Sequence, residues 1–168
     1  MRIYHPKQVR PDAPQNQELE GLVSEVVTHT DKQDLRMRFF GNPNVEAIPA
    51  RITGRRPDKY EQPREMVIVA LNKEKPVGYT DITEDTSCER TAEIAMLVRS
   101  DVQRQGIGEA MLKKAIEETR KNEIRYLKAY VHPENYKMKQ ALKKWSEDLH
   151  VRMRKEWEAG ELTYVLDL

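Results

Sequence analysis

Residues 91–109 read T-A-E-I-A-M-L-V-R-S-D-V-Q-R-Q-G-I-G-E, an apolar strand-like run followed by a turn that contains two glycines. Apolar residues then recur at helical spacing, which predicts a helix over Glu109–Lys121. Positions 104–106 hold no Ser, Thr, Asp or Asn to cap this helix, so its first backbone N–H groups are available to a ligand. Together with the helix dipole and Arg104, these amides predict an anion site that best matches a pyrophosphate.

The G-x-G pattern alone is compatible with other interpretations. Gly106 and Gly108 allow close approach of the backbone to a ligand, but they also suit a plain strand-to-helix turn. The segment lacks the Gly-Lys-Ser/Thr of a Walker A motif and the third glycine of a dinucleotide-binding fingerprint. A nucleotide-phosphate enzyme of another fold is disfavoured, because no metal-binding Ser or Thr follows the glycines.

Hydrophobic patterning on both sides of this segment predicts one α/β domain in the order ααβββαβαββ, spanning residues 1–168. Prolines crowd residues 42–65, which indicates a long connection with one helical turn near 45–52. Helices are predicted over Gln15–His29, from Asp31 to the break at Gly41, and over Pro133–Leu149. Strands are predicted near Val9 and over Met66–Leu71, Pro76–Ile82, Thr91–Arg99 and Arg125–Val131, with a final hairpin around Ala159-Gly160.

Composition excludes several classes of protein. The 168 residues carry a net charge of +1, which argues against direct binding to nucleic acid. No apolar stretch approaches the ~20 residues of a membrane span, and the N-terminal residues lack the apolar run of a signal peptide. A single cysteine, Cys88, excludes an intramolecular disulfide, and the four histidines show no metal-ligand spacing. We therefore expect a cytoplasmic domain without a metal ion or a membrane contact.

The stretch from Thr91 to Glu109 resembles the acetyl-CoA-binding signature of the GNAT superfamily of N-acetyltransferases, whose core is Q/R-x-x-G-x-G/A. Three more stretches are similar to the acetyltransferase domain of Pat-type protein lysine acetyltransferases. They are D-L-R-M-R-F-F-G at 34–41, R-E-M-V-I-V-A at 64–70 and H-P-E-N-Y-K-M at 132–138. The resemblance covers roughly residues 9–145. It implies a mixed central sheet of about six to seven strands flanked by helices, with a splayed strand pair that holds acetyl-CoA.

The resemblance also implies where acetyl-CoA, the co-substrate, would bind. The pantetheine arm would pair with the strand backbone at Met96, Leu97 and Val98. The diphosphate would lie on a run of main-chain amides, namely those of Arg104, Gln105, Gly106, Ile107, Gly108 and Glu109. Asn135 matches a position that often contacts the cofactor arm, and it also suits the N-cap of the helix that follows.

Glu93 is the candidate general base, since it occupies the A-E-I-A pattern where Pat-type enzymes carry theirs. A lysine amine with a pKa of about 10.4 arrives protonated, and a carboxylate within about 3 Å of it, or of a bridging water, can remove the proton. On a strand, Glu93 shares a face with Ala95 and Leu97, and such apolar neighbours would raise its pKa. The alternative is a surface glutamate at the sheet edge.

The sequence departs from the family pattern at the position of the general acid. Many relatives carry a tyrosine seven residues after the asparagine and then a Gly-Phe, whereas this chain has Leu142 and Ser146-Glu147. Tyr130 and Tyr136 are the substitutes nearest in sequence. A strand amide near Leu97 would stabilise the oxyanion of the reaction.

The expected function is transfer of an acetyl group from acetyl-CoA to a primary amine, namely a protein lysine side chain. Two alternatives share the fold: an N-acetyltransferase for amino acids, polyamines or drugs, and a non-catalytic acetyl-CoA-binding module suggested by the missing tyrosine. Basic residues at 51, 55, 56 and 59 would favour acidic surroundings on a protein acceptor, although a solvated loop explains them equally well. An exposed edge strand would allow a homodimer.

Overall fold

A computed structural model of the chain describes residues 1–5, 13–53, 66–158 and 161–168. The helices are α1 (Pro14–Thr28), α2 (Lys32–Phe39), α3 (Ile48–Ile52), α4 (Ile107–Lys121) and α5 (Tyr136–Asp148). The strands are β1 (Arg2–Tyr4), β2 (Met66–Asn72), β3 (Lys75–Glu84), β4 (Thr91–Val98), β5 (Tyr126–Tyr130), β6 (Arg152–Glu158) and β7 (Glu161–Asp167). Short 3-10 turns occupy Val45–Ala47 and Ser100–Val102. None of the described helices is both long and apolar enough to cross a membrane.

The seven strands form one mixed sheet in the order β1-β2-β3-β4-β5-β7-β6. Four strands from β1 to β4 are antiparallel neighbours, and β5, β7 and β6 form a second antiparallel group. The parallel pair β4–β5 joins the two groups through three residue pairs, the last of which is Glu93 with Lys128. Since β4 continues to Val98, its second half extends beyond this ladder and a gap opens between the two strands.

Helices cover both faces of the sheet, because successive apolar side chains of β4 point to opposite faces and both sets need to be buried. Ala92, Ile94 and Met96 belong to the hydrophobic cluster that contains α4 and α5 residues such as Met111 and Leu142. Leu97, which points to the opposite face, belongs to the cluster built from α1, α2 and α3. Glu93 and Ala95 share the parity of Leu97, so they lie on the α1–α3 face.

The predicted α/β class and the sheet of six to seven strands are confirmed. The short strand β1 was missed, while the strand predicted near Val9 falls outside the described residues, as do residues 54–65 of the long connection and the hairpin turn at 159–160. Helix α5 begins three residues later than predicted, at Tyr136, because Asn135 caps it: its side-chain oxygen accepts a hydrogen bond from the backbone N–H of Met138 at 3.1 Å. Strands β1 and β6 are the edges of the sheet, and the homodimer through an edge strand stays a prediction.

Close packing of α4 against α5 depends on a glycine. A Cβ atom at Gly108 would lie 2.7 Å from the ring carbon Cη2 of Trp145 and 3.1 Å from Cζ2. Both distances are shorter than a normal van der Waals contact, and the indole is wedged between two helices. The side chain of Trp145 therefore requires a residue without a Cβ in the first turn of α4.

Replacement of Gly108 by alanine is expected to lower the free energy of unfolding by about 1–3 kcal/mol, because overpacking forces Trp145 from its site. Gly21 in α1 is the matched control, since no heavy atom lies within 4 Å of the Cβ position there. Gly21→Ala should raise stability by about 0.5–1 kcal/mol, the usual gain for this change in a helix. Urea denaturation measures both, and an equal gain in the two variants would contradict the packing argument.

Candidate functional site

A cavity of about 960 Å³ lies at the gap between β4 and β5. Its walls come from α2, β4, the start of α4, the end of β5 and α5. Every site residue predicted from the sequence lines it except Gln105, which is exposed to solvent outside the lining. The members are Glu93, Met96, Leu97, Val98, Arg104, Gly106, Ile107, Gly108, Glu109 and Asn135. Residues distant in sequence are thus brought to one concave surface.

The start of α4 has the features of an anion site. Its N-cap is Gly106, in the left-handed conformation at φ +77°, and no side-chain hydrogen bond caps the helix. Arg104, two residues earlier, is also left-handed at φ +62°. Uncapped first-turn amides at the positive end of a helix dipole favour a negatively charged ligand.

The two glycines of the turn have different roles. Gly106 supplies a backbone conformation that side chains resist, with nothing within 4 Å of its Cβ position. Gly108 makes room for Trp145, as described above. Both glycines line the cavity, but only Gly106 has open space at its Cβ position.

The second half of β4 supplies main-chain groups along the gap. This half of β4 pairs with β3 on one side. The partners are Met96 with Thr80, Leu97 with Tyr79 and Val98 with Gly78. The approach is close, because a Cβ at Gly78 would lie 2.9 Å from the carbonyl oxygen of Leu97. On the other side, the β5 ladder ends at Glu93, so the groups of β4 that point toward β5 are outside that ladder from Ala95 onward. An extended amide-containing ligand fits this edge as a surrogate strand.

Glu93 lies at the last rung of the β4–β5 ladder, with Thr83 of β3 on one side and Lys128 of β5 on the other. Its side chain is exposed, and these two cross-strand neighbours are polar. The predicted apolar surroundings of Glu93 are therefore wrong. Strand parity shows which face a residue lies on, but not which side chains the neighbouring strands bring to it.

Lys128 is a buried cation next to Glu93 that the sequence reasoning missed. Only 7% of it is exposed, and its ammonium lies 3.2 Å from a carboxylate oxygen of Asp85. Burial acts to raise the pKa of Asp85, but hydrogen bonds from Ser87 and Lys128 outweigh it and lower that pKa. A lysine inside the apolar strand Y-L-K-A-Y was the available signal.

The wall on the α1–α3 face also contains charges that were missed. Arg38 of α2 forms a 2.7 Å ion pair with Asp81 of β3, which is only 4% exposed. Phe40, left-handed at φ +55° where α2 ends, contacts the ring of His132 at a centroid distance of 5.5 Å. The C-terminal end of α2 is thus joined both to β3 and to the segment after β5.

The structure distinguishes between the two tyrosines near the site. Tyr130, at the end of β5, lines the cavity, whereas Tyr136 is 68% exposed and lies outside the lining. Leu142, at the position where many relatives carry a tyrosine, is buried in the core. Within the described part of the chain, no group of three His, Cys, Asp or Glu side chains is arranged to hold a metal ion.

Comparison with known proteins adds three structural relatives. The GNAT domain of S. lividans PAT is 23% identical with a TM-score of 0.67, over 90% of this chain and 86% of that one. The ribosomal-protein-alanine N-acetyltransferase from Brucella melitensis is 18% identical with a TM-score of 0.59, over 100% and 99%. The diaminobutyrate acetyltransferase EctA from Paenibacillus lautus, in complex with L-2,4-diaminobutyric acid and coenzyme A, is 15% identical with a TM-score of 0.61, over 99% and 95%. At these identities they show a shared fold.

No curated protein sequence matches the chain significantly. The sequence pattern of the acetyltransferase (GNAT) family, by contrast, matches residues 32–146, which is more than half of the chain and includes α2, β4, α4 and most of α5. The protein therefore belongs to the GNAT family of acetyl-CoA-dependent N-acetyltransferases.

Proposed function

We propose that this enzyme acetylates lysine side chains of proteins, in the manner of the Pat-type enzymes that its sequence resembles. The observation that carries the proposal is the single cavity that runs from the uncapped start of α4, along the open edge of β4, to the carboxylate of Glu93. The three stretches similar to Pat-type enzymes, at 34–41, 64–70 and 132–138, support the lysine acceptor.

Two parts of the cavity suit two parts of acetyl-CoA. The amides from Arg104 to Glu109 would hold the diphosphate. Of the three strand residues predicted to pair with the pantetheine arm, Met96 and Val98 would do so, because the backbone groups of Leu97 face β3. Asn135 already caps α5 through its oxygen, and its amide group adds a polar contact on the cavity wall. When bound, acetyl-CoA supplies a thioester, an activated acyl group that an amine can attack.

Glu93 acts as the general base in this proposal. Its exposed carboxylate can take a proton from the incoming ammonium group, directly or through a water. The backbone N–H near Leu97 donates to the oxygen that gains negative charge during attack. Tyr130, which lines the cavity, would protonate the departing sulfur, and a thiol pKa near ~8.5 also lets the thiolate leave unaided.

The acceptor class is tested by mass spectrometry. A bacterial lysate incubated with the enzyme and labelled acetyl-CoA should gain label on lysine side chains of proteins. A parallel reaction without the enzyme measures the background of non-enzymatic acetylation. Label found only in amino acids, polyamines or other small amines would replace the protein acceptor with a small-molecule one.

Glu93→Gln is expected to lower kcat on the acceptor found in that experiment by about 100-fold or more, the usual contribution of a general base. Its Kd for acetyl-CoA in isothermal titration calorimetry should stay within about twofold, since the diphosphate lies elsewhere. Glu89→Gln is the matched control, because it removes an exposed glutamate four residues earlier. Unchanged turnover in Glu93→Gln would remove Glu93 as the base.

Substitution of Gly106 separates charge from backbone strain. Asparagine and aspartate have nearly the same size, and both tolerate the left-handed conformation better than most residues do. Gly106→Asp should bind coenzyme A at least tenfold more weakly than Gly106→Asn, because a carboxylate would repel the diphosphate. Calorimetry with coenzyme A measures both, and equal affinities would place the diphosphate away from this turn.

A further inference from the structure

Asp34, in the first turn of α2, connects this helix to the segment between β4 and α4. One oxygen of its carboxylate accepts hydrogen bonds from Ser100 Oγ at 2.8 Å and from Gln103 Nε2 at 2.6 Å. The side chain of Asp34 is 16% exposed. Hydrogen bonds to an ionised and largely buried carboxylate are among the stronger ones in proteins.

Ser100 holds the start of α2 by a second bond. Its hydroxyl oxygen accepts a hydrogen bond from the backbone N–H of Asp31, the N-cap of α2, at 2.9 Å. Asp31 in turn caps the helix by accepting from the N–H of Asp34 at 2.8 Å. Ser100 therefore contacts both the cap and the first turn of α2, so these cannot shift independently of the β4–α4 segment.

Gln103 links the same carboxylate to the proposed cofactor site. It immediately precedes Arg104, the first residue of the diphosphate turn, and its side-chain nitrogen also donates to the carbonyl oxygen of Val98 at 3.3 Å. The side chain of Gln103 thus lies between the end of β4 and Asp34. A ligand that fixes the turn and the end of β4 also fixes the donor that Asp34 accepts.

The other end of α2 forms the wall beside Glu93. Arg38 is paired with Asp81 there, and Phe40 contacts His132. Eight residues of helix span about 12 Å, so α2 transmits a movement of its first turn to Arg38 and Phe40 as a rigid rod. Lys137 of α5, which also lines the cavity, lies 3.9 Å from the second oxygen of Asp34.

We propose that Asp34 is a positioning residue that couples cofactor binding to the acceptor wall: coenzyme A bound at 104–109 holds Gln103, Gln103 holds Asp34, and α2 is thereby fixed beside Glu93. The inference rests on the proposed diphosphate site. A ligand shifts a conformational equilibrium only through its differential affinity for the two states, and here the Asp34 hydrogen bonds supply the difference. Linkage requires the reverse effect too, so an ordered α2 tightens the binding of coenzyme A.

Hydrogen–deuterium exchange on the full chain, with and without coenzyme A, tests the coupling. In the unmodified protein, coenzyme A should slow amide exchange at 103–110 and also at 32–39, the latter by about fivefold or more. In Asp34→Ala the slowing at 103–110 should remain, while that at 32–39 should fall to less than half. Asp101→Asn is the matched control, since it removes a carboxylate from the same segment that pairs with Arg99, and it should behave as the unmodified protein.

The outcomes separate the two proposals. Absence of slowing at 103–110 in the unmodified protein would overturn the diphosphate site and the coupling with it. Slowing at 103–110 together with undiminished slowing at 32–39 in Asp34→Ala would overturn the coupling alone, because α2 would then respond to direct contact with the ligand. If Asp34→Ala does not fold, Ser100→Ala replaces it, because that change removes one of the two donors to Asp34. The slowing of exchange at 32–39 should then fall to a value between those of the unmodified protein and of a variant without the coupling, and undiminished slowing would overturn the coupling.

Discussion

The early end of the parallel β4–β5 ladder is the constraint on which the site depends. After three residue pairs, β4 continues to Val98 along β3 alone, and the sheet opens into a wedge. In a closed sheet the main-chain groups of Met96 and Val98, which alternate with those turned to β3, would be used by β5. Because the strands diverge, these groups form one edge of a cavity whose other walls are helices, and a ligand with amides along its length can complete the sheet. The position of Glu93 at the last rung places a carboxylate where the wedge begins.

The turn before α4 gives the cavity a positive partial charge that comes from backbone N–H groups and not from a cluster of charged side chains. Gly106 at φ +77° starts the helix uncapped, and the first turn of α4 then packs closely against α5 through Gly108 and Trp145. A local backbone conformation and a packing contact with another helix are thus combined within three residues. This explains why a short glycine pattern is informative here: one glycine supplies the backbone conformation of the uncapped turn, and the other allows α4 to pack against α5.

What the sequence predicted was local. The strand over Thr91–Arg99, the turn and the amphipathic helix follow from patterns within a dozen residues, and together they form one wall of the cavity. The three-residue strand β1 was missed because its stability comes from distant partners, with Arg2 bonded to Glu18 and Glu74. Arg38–Asp81 and Lys128–Asp85 were missed for the same reason, since each pair joins residues 43 positions apart. The prediction of apolar surroundings for Glu93 was wrong because residues of the neighbouring strands, and not those of β4 itself, lie beside its side chain.

The sheet separates the residues that fit the cofactor from those that could select the acceptor. Residues that fit the cofactor belong to β4, the start of α4 and the start of α5, whereas the α1–α3 face carries Arg38, Asp81 and the exposed Glu93. Solved relatives named for a ribosomal-protein alanine and for diaminobutyrate share the fold at similar TM-scores, so a common scaffold accommodates unlike acceptors. On that wall the carboxylates of Asp81 and Glu93 lie near the guanidinium groups of Arg38 and Arg51, so charges of both signs line the part of the cavity that is not occupied by the cofactor residues.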